Sequence, residues 1–203
     1  KVQLLAFRAK REAVIGDVEK AIERQQLGTK GRIQISGERK ARVAYHEAGH
    51  ALIQLLNSPE SVSLATIAPH SGSLGLVAMK RREDDMLKTR KELLDRITMS
   101  LGGAAGEMYK YGDDHSAGVS GDFDSAMRTA DTMVNKLGMN VDGINFSETE
   151  KDSKKEIKNI LDYCLNRAKQ LIQENETAFN EIVELLIEKE TVRGEKLNQI
   201  VNP

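Results

Sequence analysis

Apolar residues recur at helical spacing along most of the chain. Residues 2–26 hold two short patterns, with Leu4, Leu5 and Ala9 on one stripe and Val18, Ala21 and Ile22 on the next. Residues 28–37, GTKGRIQISG, break that pattern with glycine and polar side chains and read as a linker. Residues 1–27 are therefore expected to be a short helical remnant, and residues 38–203 a domain of their own. Ser36 is a candidate N-cap for a long helix to about Leu56, stopped by Asn57, Ser58 and Pro59. Two β-rich runs, 62–67 and 74–79, flank Pro69, His70, Ser71 and Gly72 and predict a hairpin or small sheet. Helical spacing returns through Leu93, Leu94, Ile97, Leu101 and Ala104, and again through Ala126, Ala130, Met133 and Val134. Ile157, Ile160, Leu161, Cys164, Leu165, Ala168, Leu171 and Ile172 form the cleanest amphipathic stripe, and Ile182, Val183, Leu185 and Leu186 a shorter one. The expected fold is mainly α with one small β element.

Composition narrows the function. In 203 residues, 30 Lys and Arg face 31 Asp and Glu, for a net charge of −1, so no electrostatic pull toward nucleic acid or anionic lipid is expected. Cys164 is the single cysteine, which rules out an intramolecular disulfide framework and a cysteine zinc cluster, and suits a reducing compartment. No run approaches the ~18 apolar residues of a membrane span, so the chain itself is expected to be soluble. It opens on Lys1 rather than Met, and is expected to be part of a longer protein that could carry an anchor elsewhere.

The chemistry concentrates in Ala44-Tyr45-His46-Glu47-Ala48-Gly49-His50-Ala51, a His-Glu-x-x-His pattern inside a predicted helix. On a helix His46 and His50 stand roughly 40° apart in azimuth and one turn apart along the axis, so two imidazoles can reach one metal ion. Glu47 is poorly placed as a ligand but can reach a water held at the metal, which makes it the candidate general base. Zinc fits such a site: a catalytic zinc takes three protein ligands and keeps a fourth position for water, whose pKa it lowers toward neutrality. Chance coincidence of this pattern is expected on the order of once in 200 chains of this length. A third ligand must lie elsewhere, and spacing leaves His70, His115, Asp113, Asp114, Asp122, Asp124 and Glu107 all open.

At these residues the chain resembles the FtsH family of ATP-dependent, membrane-anchored zinc metalloproteases. Residues 44–51 look like the family's zinc helix. Leu93-Leu94-Asp95-Arg96-Ile97, Leu101-Gly102-Gly103 and Glu107 are similar to its next motif, and residues 185–195, with Glu188-Lys189-Glu190-Thr191, resemble its closing segment. Residues 1–27 are similar to the end of the small helical lid of an AAA+ module. The family's third ligand is an aspartate opening a helix, which points to Asp122 in Gly121-Asp122-Phe123-Asp124-Ser125-Ala126; Gly121 stands where the family usually has Asn. The resemblance implies Zn2+ held by His46, His50 and Asp122, with Glu47 as base. It also implies a homo-hexamer on the cytoplasmic side of a membrane, with unfolded or membrane proteins as substrates. No Gly-x-x-x-x-Gly-Lys-Ser/Thr occurs, so ATP would act only through a motor domain outside these residues. The alternative from another class is a catalytically silent hexameric assembly module.

Overall fold

A computed structural model describes residues 37–69, 74–80, 88–144 and 149–203. The expected lid remnant, nearly all of the linker and His70 lie outside the described residues. Helix α1 spans Gly37–Asn57. Then come strands β1, Val62–Thr66, and β2, Leu76–Met79. Helices α2, Arg90–Ser100, α3, Gly102–Tyr111, and α4, Ser120–Asn135, follow, the last preceded by a 3-10 turn at Ala117–Val119. The chain closes with α5, Glu150–Glu174, α6, Glu176–Lys189, β3, Thr191–Arg193, and α7, Gly194–Val201. The mainly α expectation holds.

The hairpin expected from the two β-rich runs is present, with Leu64 opposite Ala78, Ala65 opposite Val77 and Thr66 opposite Leu76. A third strand joins it: β3 pairs antiparallel with β1, placing Val192 opposite Ala65, so the order is β2-β1-β3 and β2 is an edge strand. Three residues are too few to show a period of two, which is why the sequence pattern missed β3. The spacing over residues 89–111 also resolves into two helices that meet at Leu101. Thr89 starts α2 with a capping box, its side chain accepting from the Glu92 N–H while Glu92 accepts from the Thr89 N–H. The bend falls just before Gly102 and Gly103, a common place for helices to kink.

Two apolar cores meet along α5. One surrounds α1: Ala44, Ala48, Leu52 and Leu55 pack with Val62 and Ala65 of β1, Phe179, Ile182 and Leu186 of α6, and Leu197 of α7. The other joins Leu93, Leu94 and Ile97 of α2 to Ala126, Ala130 and Met133 of α4 and Ile160 and Cys164 of α5. Helix α3 crosses α1 at glycine. A methyl group on Gly49 would overlap the Gly102 carbonyl, and one on Gly106 the Tyr45 carbonyl, so these positions let two backbones touch. That crossing sets the histidines of α1 against the start of α4. No helix among the described residues is long and apolar enough to cross a membrane.

Candidate metal centre

Along α1 one face packs into the apolar core and another meets α3, and His46 and His50 project, one turn apart, from the more deeply buried second half of the helix. Their Nε2 atoms stand 3.1 Å apart. Asp122, in the first turn of α4, places Oδ2 3.2 Å from His46 Nε2 and 3.3 Å from His50 Nε2. The three donor atoms thus form a nearly equilateral triangle drawn from two helices.

The other nitrogen of each ring fixes what that triangle can hold. His50 Nδ1 lies 2.7 Å from the Met99 carbonyl, which can only accept, so Nδ1 carries a hydrogen and Nε2 is the nitrogen that faces the triangle. His46 Nδ1 lies 3.0 Å from Oε1 of Glu107, a carboxylate only 1% exposed. Burial pushes Glu107 up, but hydrogen bonds from His46, from the N–H and hydroxyl of Ser116 and from Arg42 outweigh it and hold the group at about 2. Being ionised, Glu107 accepts from Nδ1, and Nε2 is the His46 nitrogen that faces the triangle.

Two ring nitrogens and a carboxylate oxygen therefore converge, a set that holds positive charge, whether protons or a metal ion. Donors ~2.0–2.1 Å from a tetrahedral zinc stand ~3.3 Å from each other, which matches the observed triangle, and two imidazoles with one carboxylate is a zinc donor set. The electrostatics agree. Burial opposes charge on His46, yet hydrogen bonds to Asp122 and Glu107 raise the ring to about 10, so without a metal the site takes up a proton, which a bound cation would displace. Burial likewise acts to raise Asp122, but both histidines hold it well below the usual carboxylate range. Gly103 of α3 makes room for the pair, since a methyl group there would overlap the His46 ring and His50 Nε2.

Glu47, next to His46 on α1, is 6% exposed, and burial raises its carboxyl above the usual range against the opposing pull of His50 and His46. It lies under the hairpin: a Cβ on Gly75 would overlap its carboxylate. Glu47, both histidines and Asp122 line a cleft of about 480 Å3 whose other wall is β2, with Leu76, Val77 and Met79.

Among the candidates left open by spacing, Asp122 joins the histidines. Glu107 instead stands behind His46, and Asp113, Asp114, His115 and Asp124 are exposed outside the triangle. Asp114 binds Arg42, and the His115 ring stands edge-on to Phe123. Sequence reasoning missed Arg42 and the Met99 carbonyl, and gave Gly103, though part of a motif, no role at the site. A helical signal existed for two of them: Arg42 precedes His46 by four residues, and Gly103 precedes Glu107 by four, so each pair shares a helix face.

The family model for Peptidase family M41 matches residues 33–154, more than half of the chain and all of the residues just described. The chain belongs to peptidase family M41. This M41 domain is 35% identical over 190 residues to the ATP-dependent zinc metalloprotease FtsH 3 of Phytoplasma mali, covering 91% of this chain and 32% of that protein. It is 35% identical to the ATP-dependent zinc metalloprotease FtsH of Thermotoga maritima, covering 98% of this chain and 37% of the relative. The corresponding protein of Thermus thermophilus is 31% identical, with 98% and 35% covered. The chain thus spans about a third of the length of these relatives, which are named as zinc metalloproteases.

Proposed function

We propose that this M41 domain is a zinc endopeptidase that hydrolyses peptide bonds in unfolded polypeptide, with His46, His50 and Asp122 as the zinc ligands and Glu47 as general base. The observation that carries the reading is the convergence of two ring nitrogens and a carboxylate oxygen beside a second, buried carboxylate. When bound, zinc acidifies a water toward neutral pKa and polarises a carbonyl oxygen. Glu47 takes the proton of the attacking water as the new C–O bond forms, and returns it to the amide nitrogen as the C–N bond breaks. The acceptor behind each Nδ1, Glu107 for His46 and the Met99 carbonyl for His50, orients the ring so that Nε2 would meet the metal. Extended chain suits the cleft, because β2 is an edge strand to which a polypeptide can add by backbone hydrogen bonds.

The FtsH relatives are named ATP-dependent, and this sequence has no phosphate-binding loop. We therefore assign ATP-driven delivery to a motor in the same longer protein, together with hexamer formation and a station on the cytoplasmic side of a membrane. The donor set gives no support to the silent assembly module. The test is zinc content with cleavage of casein: one zinc per chain and cleavage independent of ATP are expected. A zinc-loaded sample that cuts no flexible peptide would overturn the assignment.

A further inference from the structure

The two halves of the donor triangle are tied together away from the cleft by one guanidinium. Arg42 lies one turn before His46 on α1. Its Nη1 donates to Glu107 Oε2 at 3.2 Å and to the Asp114 carbonyl at 2.6 Å, and its Nη2 donates to Asp114 Oδ2 at 2.9 Å. The Tyr111 ring lies beneath it, 4.0 Å from the guanidinium carbon, which fixes the plane of the fork. Arg42 thus spans α1, the end of α3 and the segment that leads into α4.

Each contact bears on a different ligand. Glu107 holds His46 through Oε1, and the same carboxylate accepts from the Ser116 N–H at 2.7 Å and the Ser116 hydroxyl at 2.9 Å. Ser116 in turn caps the 3-10 turn by accepting from the Gly118 N–H, and that turn runs directly into α4, where Asp122 occupies the first turn. Fixing Asp114 and Ser116 therefore fixes where α4 begins. Removing the cation would leave Glu107 with one fewer charged donor and release Asp114, loosening both the ring orientation of His46 and the placement of Asp122. No side-chain cap on α4 would compensate.

We propose that Arg42 is a positioning residue for the metal centre, holding the aspartate helix in register with the histidine helix through Glu107 and Asp114. The proposal rests on the zinc reading given above. Lysine cannot take its place, because a single ammonium lacks the planar fork that reaches three acceptors and stacks on Tyr111.

The experiment measures zinc affinity of the whole chain by chelator competition, the visible spectrum of the cobalt(II) form, and melting of the metal-free protein. Arg42→Met is expected to weaken zinc ~10–100-fold, as for other outer partners of metal ligands, and to alter the cobalt spectrum while metal-free melting stays close to wild type. Arg42→Lys should recover only part of the loss, and Arg39→Met, on the same helix, none of it should be lost. Asp114→Ala, which removes one exposed contact, should weaken zinc up to ~5-fold and keeps the test open if Arg42→Met does not fold. Wild-type zinc affinity and cobalt spectrum in Arg42→Met, or in Asp114→Ala where that variant must stand in, would overturn the proposal. So would lowered melting with unchanged zinc affinity. Failure of the zinc reading looks different: the wild-type chain would then bind no zinc that His46→Ala removes.

Discussion

The histidine side and the aspartate side of the proposed metal centre are held by different means. His46 and His50 sit on a 21-residue helix whose apolar face is buried in the larger core and whose polar face touches α3 backbone to backbone. Each ring is fixed at Nδ1 by a partner on another element. Asp122 has a side chain 30% exposed on the first turn of a helix without a side-chain cap, after a run of mostly exposed residues from Gly112 to Gly118. Packing thus places two of the proposed ligands, whereas the third stands at the exposed start of a helix whose core contacts begin only at Ala126 and whose first turn is held by polar anchors. Changes on the histidine side are expected to cost the fold or the whole site, whereas changes on the aspartate side should reduce affinity and leave the domain standing.

The largest expected effect separates holding the metal from using it. Glu47→Gln leaves all three donors intact and removes the proton acceptor, so casein cleavage should fall by at least ~10²-fold while zinc content stays at one per chain. Zinc loss in Glu47→Gln would mean that Glu47 belongs to the donor set and that the triangle has been assigned wrongly.

A second experiment sharpens the account of the histidine side. Gly49 and Gly103 both lie at the α1 and α3 crossing, but a methyl group on Gly49 meets the Gly102 backbone, whereas one on Gly103 meets the imidazoles. Gly49→Ala should therefore destabilise the fold by about 1–3 kcal/mol or more, read as a lower melting temperature with and without metal. Gly103→Ala should instead abolish high-affinity zinc binding, with metal-free melting close to wild type. Identical behaviour of the two variants would show that fold and site are not separable on this side.

The same contrast explains what was legible in the sequence. The His46, Glu47 and His50 constellation could be read directly because its geometry is carried by one helix, where spacing is geometry. Asp122 could not be reached that way: it arrives 72 residues after His50 through a hairpin and two helices, and only the resemblance to FtsH proteases singled it out from six other candidates. Glu107 was counted as a possible ligand because residue type alone does not distinguish a carboxylate facing a metal from one facing the far side of a ring. The β1 and β2 runs were visible by composition, while β3 depends on tertiary pairing of three residues. The bend at Leu101 was hidden because apolar spacing continues across it.

On the aspartate side, Asp122→Asn keeps shape and removes charge, and zinc affinity should fall by more than the ~10–100-fold typical of outer partners, with melting of the metal-free protein little changed. Asp124, two residues on and exposed, lies outside the triangle. Asp124→Asn should stay within ~0.5 kcal/mol of wild type in zinc binding free energy. Equal loss in both would place the ligand in the wrong register of α4, and retention in both would remove the aspartate from the site.

The smallest effect reports on how firmly the aspartate side is held without metal. Cys164 lies at the centre of the second core, against Leu94 of α2 and beside Ala126 and Ala130 of α4. Burial pushes its thiol up to about 11, a shift only partly offset by a hydrogen bond with Thr98. At pH 8 the thiolate is then about one part in a thousand of the folded form, whereas unfolding returns the group to the ordinary range of ~8.5 and makes it reactive. Alkylation at pH 8 should therefore proceed through opening of the core, because the folded thiol is both fully buried and protonated. A metal that bridges α1 and α4 binds the closed form and suppresses opening, so saturating zinc should slow alkylation further. Asp122→Asn should lose most of that protection. Labelling that zinc does not slow in the wild type would mean that α4 is held as firmly by the core as α1 is, and the distinction between the two sides would fall.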